Sequence, residues 1–111
     1  MTPYNVELTV IIDDYSGFTR LLASHGLSFY LRIYVDDGVD DILFDVGPNN
    51  HVLEFNVRRL GLDLSNVKVV VLSHRHYDHT GGLGYVVQEI SKSGHQPIII
   101  AHPWVFRPCI Y

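Results

Sequence analysis

Cysteine is nearly absent: Cys109 is the single one in 111 residues, so no internal disulfide can form and a reducing compartment is the expected setting. The first residues lack a basic start, an apolar core and a small-residue cleavage site, which makes a cytoplasmic location the expectation. No hydrophobic run approaches the ~18 residues needed to span a bilayer, so no membrane partner is expected. Charge is sparse as well. Charged residues make up 18%, below the roughly one quarter of ordinary domains. Lys and Arg number 8 against 12 Asp and Glu, a net charge of −4, and this shortage of basic groups argues against a nucleic-acid partner. The hydrophobic share is an ordinary 47%, which excludes disordered and collagen-like classes. The length allows one domain, residues 1–111, burying on folding roughly two thirds of its extended-chain surface.

Seven histidines stand against this background. Residues 7–12 (ELTVII) and 27–35 (LSFYLRIYV) are rich in β-branched and aromatic residues, and Phe29, Leu31, Ile33 and Val35 alternate onto one face; both segments are expected strands. Asp36-Asp37-Gly38 has hairpin-turn chemistry and leads to a third strand at 41–46 (DILFDV), so the fold opens antiparallel. Asn49 or Asn50 can cap a helix reaching about Leu60, with Leu53, Val57 and Leu60 on one side and Gly61 as the stop. Residues 67–72 (VKVVVL) are expected to form a strand buried on both faces. An apolar helical stripe of Val86, Val87 and Ile90 follows over 83–91, and 97–101 (PIIIA) reads as another short buried strand. Strands first, then strand and helix in alternation, give an α/β (α+β) class.

The chemistry lies in Ser73-His74-Arg75-His76-Tyr77-Asp78-His79-Thr80-Gly81-Gly82. Neutral imidazoles with one carboxylate are the ligands preferred by a divalent cation, zinc first, with manganese or iron also suited. Alternate spacing lets His74 and His76 project together from an extended segment, while Asp78 and His79 turn toward a second ion. Gly81 and Gly82 permit the tight bend that follows.

His74-x-His76-x-Asp78-His79, placed between an apolar strand and Gly81-Gly82, resembles the signature of the metallo-β-lactamase superfamily, whose members fold as an αββα sandwich. The resemblance implies up to two ions, the first held by His74 and His76 and the second by Asp78 and His79. It also implies metal-bound hydroxide as nucleophile, with Asp78 the candidate catalytic carboxylate. Asp45-x-Gly47 resembles the family motif that supports the metal loop, although Val46 stands where Thr is common. His25-Gly26-Leu27-Ser28 and Ala101-His102-Pro103 narrow the likeness to the branch labelled dihydropteroate-synthase-like, which includes a dihydropterin synthase of methanopterin biosynthesis. Asp14 occupies a position where that branch usually carries Asn. His25 and His102 are candidates to touch substrate or support a ligand, and each reads equally well as a hydrogen-bonded structural histidine. His51 and His95 read as surface residues.

The likeness covers about the first half of the family's domain. The family's third histidine, bridging aspartate and final histidine lie past the position matching Tyr111, so each expected site has two ligands where a catalytic zinc normally takes three. Two expectations follow. One is a metal-dependent hydrolase or group-transferase acting on a small molecule, completed by a second copy or a separately encoded C-terminal half, with Trp104, Val105, Phe106 and Ile110 near the contact. The other is a non-catalytic half domain or interaction module that keeps the metal loop.

Overall fold

The hairpin at Asp36 and Asp37 sets the direction of everything after it. In the computed structural model, which describes residues 3–15 and 20–107, the strands are β1 (Asn5–Ile12), β2 (Ser28–Val35), β3 (Gly38–Phe44), β4 (Val67–Leu72) and β5 (Ile98–Ala101). They lie side by side in chain order. The first three are antiparallel, with a two-residue turn at Asp36 and Asp37 between β2 and β3, and β3, β4 and β5 run parallel. Parallel neighbours need a crossover, and helices α1 (Asn50–Leu60) and α3 (Leu83–Ser91) supply the two, with the single turn α2 (Tyr77–Thr80) between β4 and α3. Two right-handed crossovers stepping the same way across a sheet put both helices on one face. Here α1 and α3 pack against each other and share one core.

That core joins Leu43 of β3, Val70 and Leu72 of β4, Leu53 and Val57 of α1, and Val86 and Ile90 of α3. A bulge between Val10 and Ile12 shifts the β1 register, so the consecutive Ile11 and Ile12 are both buried. The expected helix ends are found. Asn49 accepts a hydrogen bond from the Val52 amide, and Gly61 closes α1 in the left-handed conformation at φ 68°. Asn56, buried among these apolar residues, donates from Nδ2 to the Ile11 and Leu22 carbonyls and accepts from the Leu22 amide. Its amide therefore sews residues 11 and 22 to α1. Tyr30 donates to Asp41, and Arg32 grips the same carboxylate with two nitrogens at 3.0 and 3.1 Å.

The other face carries complete apolar rows. Leu8, Leu31, Ile42, Val69 and Ile98 are successive cross-strand partners, and Val10, Phe29, Phe44, Val71 and Ile100 form the next row. Their centres are half-buried and their ends exposed, Leu8 at 53% and Ile98 at 62%. Two expectations fail on this face. β5 is not buried, because it is the edge strand of the sheet and its isoleucines stand open. β4 is not buried on both sides either: Val70 and Leu72 are inside, Val69 and Val71 are half-buried and Lys68 is exposed. The alternation of Phe29, Leu31 and Ile33 is present, but it marks this open face, while Ser28 and Tyr30 point to the core. Among the described residues no helix is long and apolar enough to cross a membrane. Cys109, Ile110 and Tyr111 lie outside the described residues.

Candidate metal centre

Parallel strands β3 and β4 end side by side, and chain leaving such ends is where α/β sheets place their ligand loops. Just past β3, Asp45 is fully buried with φ 56°, a left-handed conformation that costs a non-glycine residue roughly 1–2 kcal/mol. Hydrogen bonds at every polar group hold it there. Its amide donates to the Val71 carbonyl at 2.8 Å and its carbonyl accepts from Ser28 Oγ at 2.8 Å. Its carboxylate receives the Ser73 amide at 2.7 Å, Ser73 Oγ at 2.6 Å and His79 Nδ1 at 2.7 Å.

This network assigns the tautomers of two imidazoles. His79 Nδ1 faces a carboxylate, so it carries the proton and Nε2 presents a lone pair. The Ser73 hydroxyl has one proton and gives it to Asp45. It must then accept from His74 Nδ1, 2.8 Å away, which leaves His74 Nε2 unprotonated too. A carboxylate behind each ligating histidine is how metal sites orient imidazoles. Asp45 itself lies within 4.8 Å of ligand atoms of His74 and His79, but its oxygens already accept three hydrogen bonds, so its place is behind the ligands.

His74, His76 and Asp78 likewise offer ligand atoms within 4.8 Å of one another. Ring centroids of His74 lie 4.7 Å from His76 and 4.2 Å from His79. Asp78 Oδ2 stands 3.7 Å from His79 Nε2, near the roughly 3.3 Å edge of a tetrahedron with zinc–ligand bonds of about 2.0–2.1 Å. All four predicted ligands thus converge past the end of β4, in two groups that share His74: the expected pair His74 and His76 stays together and is joined by Asp78, while His79 groups with His74 and Asp45. The donors, imidazole nitrogens preset as acceptors with one carboxylate, suit a divalent cation of the zinc type.

Backbone contacts hold the loop in place. The Val46 amide donates to the His79 carbonyl at 2.9 Å, and the Gly81 amide to the Gly47 carbonyl at 2.8 Å. A Cβ on Gly81 would lie 1.9 Å from the Pro48 oxygen, and one on Gly82 2.2 Å from the Val46 oxygen. The paired glycines therefore allow direct contact of backbone with backbone.

His25 bridges two carboxylates, with Nε2 at 3.2 Å from Asp78 Oδ2 and Nδ1 at 3.3 Å from Asp14 Oδ1. It contacts a predicted ligand. His102 sits farther along the same rim, its Nδ1 accepting from the Trp104 amide at 3.1 Å. His51 and His95 are exposed, as expected. Sequence reasoning missed Ser73 as the relay between Asp45 and His74; the available signal was a hydroxyl directly before the first ligand.

Known proteins resemble most of the chain in sequence. The chain is 33% identical over 104 residues to a 7,8-dihydropterin-6-methyl-4-(β-D-ribofuranosyl)-aminobenzene-5′-phosphate synthase of Methanocaldococcus jannaschii, covering 93% of this chain and 34% of that protein. It is 35% identical over 91 residues to a ribonuclease Z of Borreliella burgdorferi, covering 79% of this chain and 27% of that one. Among solved structures, the Rm3 metallo-beta-lactamase superposes with a TM-score of 0.48 at 22% identity over 71% of this chain and 30% of the other. The chain spans about a third of the length of the curated relatives it matches. Residues 26–105, which include every group of the cluster except Asp14 and His25, match the model of the metallo-beta-lactamase superfamily, and the chain belongs to that superfamily.

Proposed function

We propose that this chain carries the ion-holding part of a metal-dependent hydrolase or group-transferase acting on a small molecule, with His74, His76, Asp78 and His79 as ligands. Membership of the superfamily implies a divalent cation and a hydrolase-like function. The observation that carries the finer reading is the Asp45–Ser73 network, which turns two imidazoles into acceptors pointed at common space. A cation held there supplies Lewis acidity and lowers the pKa of a coordinated water toward neutrality. The chain's own residues do the positioning. Asp45 holds the protons on His74 and His79 away from the ion, and His25 holds the Asp78 carboxylate in place from the other side. In this reading Asp78 is also the carboxylate nearest the reacting atoms.

The same reading assigns the remaining ligands, and a second sheet over the open rows of β1 to β5, to a further segment outside residues 1–111. Exposed apolar rows flanking a ligand cluster support that assignment. Zinc calorimetry on the chain, paired with His76→Ala and Asp78→Ala, tests it. Weak, saturable binding that disappears in both variants is the expected outcome. Tight binding of two ions would show that the chain completes both sites alone, and no binding at all would refute the ligand assignment.

A further inference from the structure

β4 and β5 are parallel neighbours paired to their last residues, with Leu72 opposite Ala101. The segments leaving them therefore emerge side by side, and His102, the first residue past β5, shares an open cleft of about 460 Å³ with His74 and His76. Its ring is held by the turn it opens. His102 caps the one-turn helix Pro103–Phe106, and its Nδ1 accepts a hydrogen bond from the Trp104 amide at 3.1 Å. The His102 carbonyl accepts from the Val105 amide at 2.9 Å, Val105 packs against the core, and the Trp104 ring meets the imidazole edge-on at 5.8 Å. A ring nitrogen that accepts a hydrogen bond carries no proton, so the proton of this imidazole is on Nε2. That is the reverse of the tautomer set at His74 and His79 by Ser73 and Asp45. With Nδ1 turned into its own helix, the edge of the ring that bears Nε2 is the part left to the cleft.

We infer that His102 is a substrate-binding donor and not a metal ligand: its Nε2–H is given to an acceptor oxygen of the substrate, of the carbonyl type, held beside the metal cluster. The part it plays in a reaction rests on the proposed function, but the tautomer that carries it needs no ion. Imidazoles of opposite tautomer divide the cleft between them. His74 and His79 present lone pairs, which suit a cation, and His102 presents a proton, which suits an oxygen. A donor fixed in advance by the backbone needs no reorganisation when negative charge builds on that oxygen. An aspartate would cap the helix equally well, yet it would have no proton to offer the cleft.

Nitrogen-15 NMR of the metal-free chain at about pH 8, where an ordinary imidazole is neutral, is expected to find the His102 proton on Nε2. A proton on Nδ1 overturns the inference. Zinc affinity should be unchanged in His102→Phe; a loss of roughly tenfold or more overturns the inference, because His102 is then a ligand. For the substrate oxygen two probes are titrated onto the zinc-loaded chain by calorimetry. One is 2-mercaptoacetamide, whose sulfur takes the ion and whose carbonyl is left to accept, and the other is ethanethiol, which has no carbonyl. The amide should bind roughly three- to tenfold more tightly, the worth of one hydrogen bond. That preference should vanish in His102→Phe and return in part in His102→Gln, whose side-chain amide donates. Equal binding of the two probes, or a preference that survives in His102→Phe, overturns the inference. A chain that binds no zinc sinks the metal reading alone, and the metal-free spectrum then decides on His102.

Discussion

Both faces of the sheet carry apolar residues, and the two are differently finished. On one, Leu43 and Val70 are fully buried under α1 and α3. On the other, Leu8, Val10, Ile98 and Ile100 are exposed along rows of matching residues. The difference teaches where the constraint in this chain resides. Under the helices the core is closed, and among the described residues no buried side-chain polar atom lacks a partner. The ligand loop sits on the seam. Asp45 is rooted in the finished side, whereas His76 is exposed.

The largest expected effect separates the faces directly. Leu43→Ala should cost about 2–5 kcal/mol in urea unfolding, because it opens a cavity under the helices. Leu8→Thr on the open face should stay within roughly 0.5 kcal/mol and should reduce self-association in light scattering. Equal losses at both sites would erase the distinction. Asn56→Ala comes next. It leaves the Ile11 and Leu22 carbonyls and the Leu22 amide unpaired, and about 1–3 kcal/mol of stability should go with them, read from the same unfolding curves.

The seam itself is sharpened by two variants. Asp45→Asn should weaken zinc roughly 10- to 100-fold and lower the thermal midpoint too, since the same side chain holds the Ser73 turn. His76→Ala should remove zinc binding and leave the midpoint unchanged. Calorimetry and a melting scan on each variant separate support from ligand.

The smallest effect is alkaline. Burial pushes the Tyr85 hydroxyl up to about 12, with the nearby Glu89 and Glu54 charges adding to it. Burial, with Asp41 as hydrogen-bond partner, raises Tyr30 further. Both tyrosines keep their protons in the folded chain at a pH where the unfolded chain, with pKa about 10, has lost them. Stability from these groups is therefore complete below pH ~10 and declines as pH rises toward and past 12. Tyr85→Phe should flatten that decline in unfolding measured across the range.

Much of this was legible beforehand, for identifiable reasons. Turn and cap chemistry at Asp36-Asp37, Asn49 and Gly61 acts locally, so the hairpin turn and both ends of α1 fall where expected, whereas β3 starts directly after the turn and runs over Gly38–Phe44 instead of the expected 41–46. His74, His76, Asp78 and His79 lie within six positions, and local spacing was enough to predict that they converge. The faces were not legible. A period of two marks a strand with two unlike sides but does not say which side helices will cover, and in β2 the more apolar alternation turned out to be the open one. β5 reads as buried because three isoleucines in a row usually are, while its position at the sheet edge is a matter of topology. Asn56 and Ser73 were missed because their partners, Ile11 and Asp45, lie 45 and 28 residues away.

The central claim is that the chain presets its ligand histidines before any ion arrives. Nitrogen-15 NMR of the imidazole side chains in the metal-free protein reads this directly. The account predicts that the tautomeric proton of His74 and of His79 sits on Nδ1, and that both lose this uniform tautomer in Asp45→Asn. Protonation at Nε2, or rapid exchange between tautomers in the unaltered chain, would contradict it.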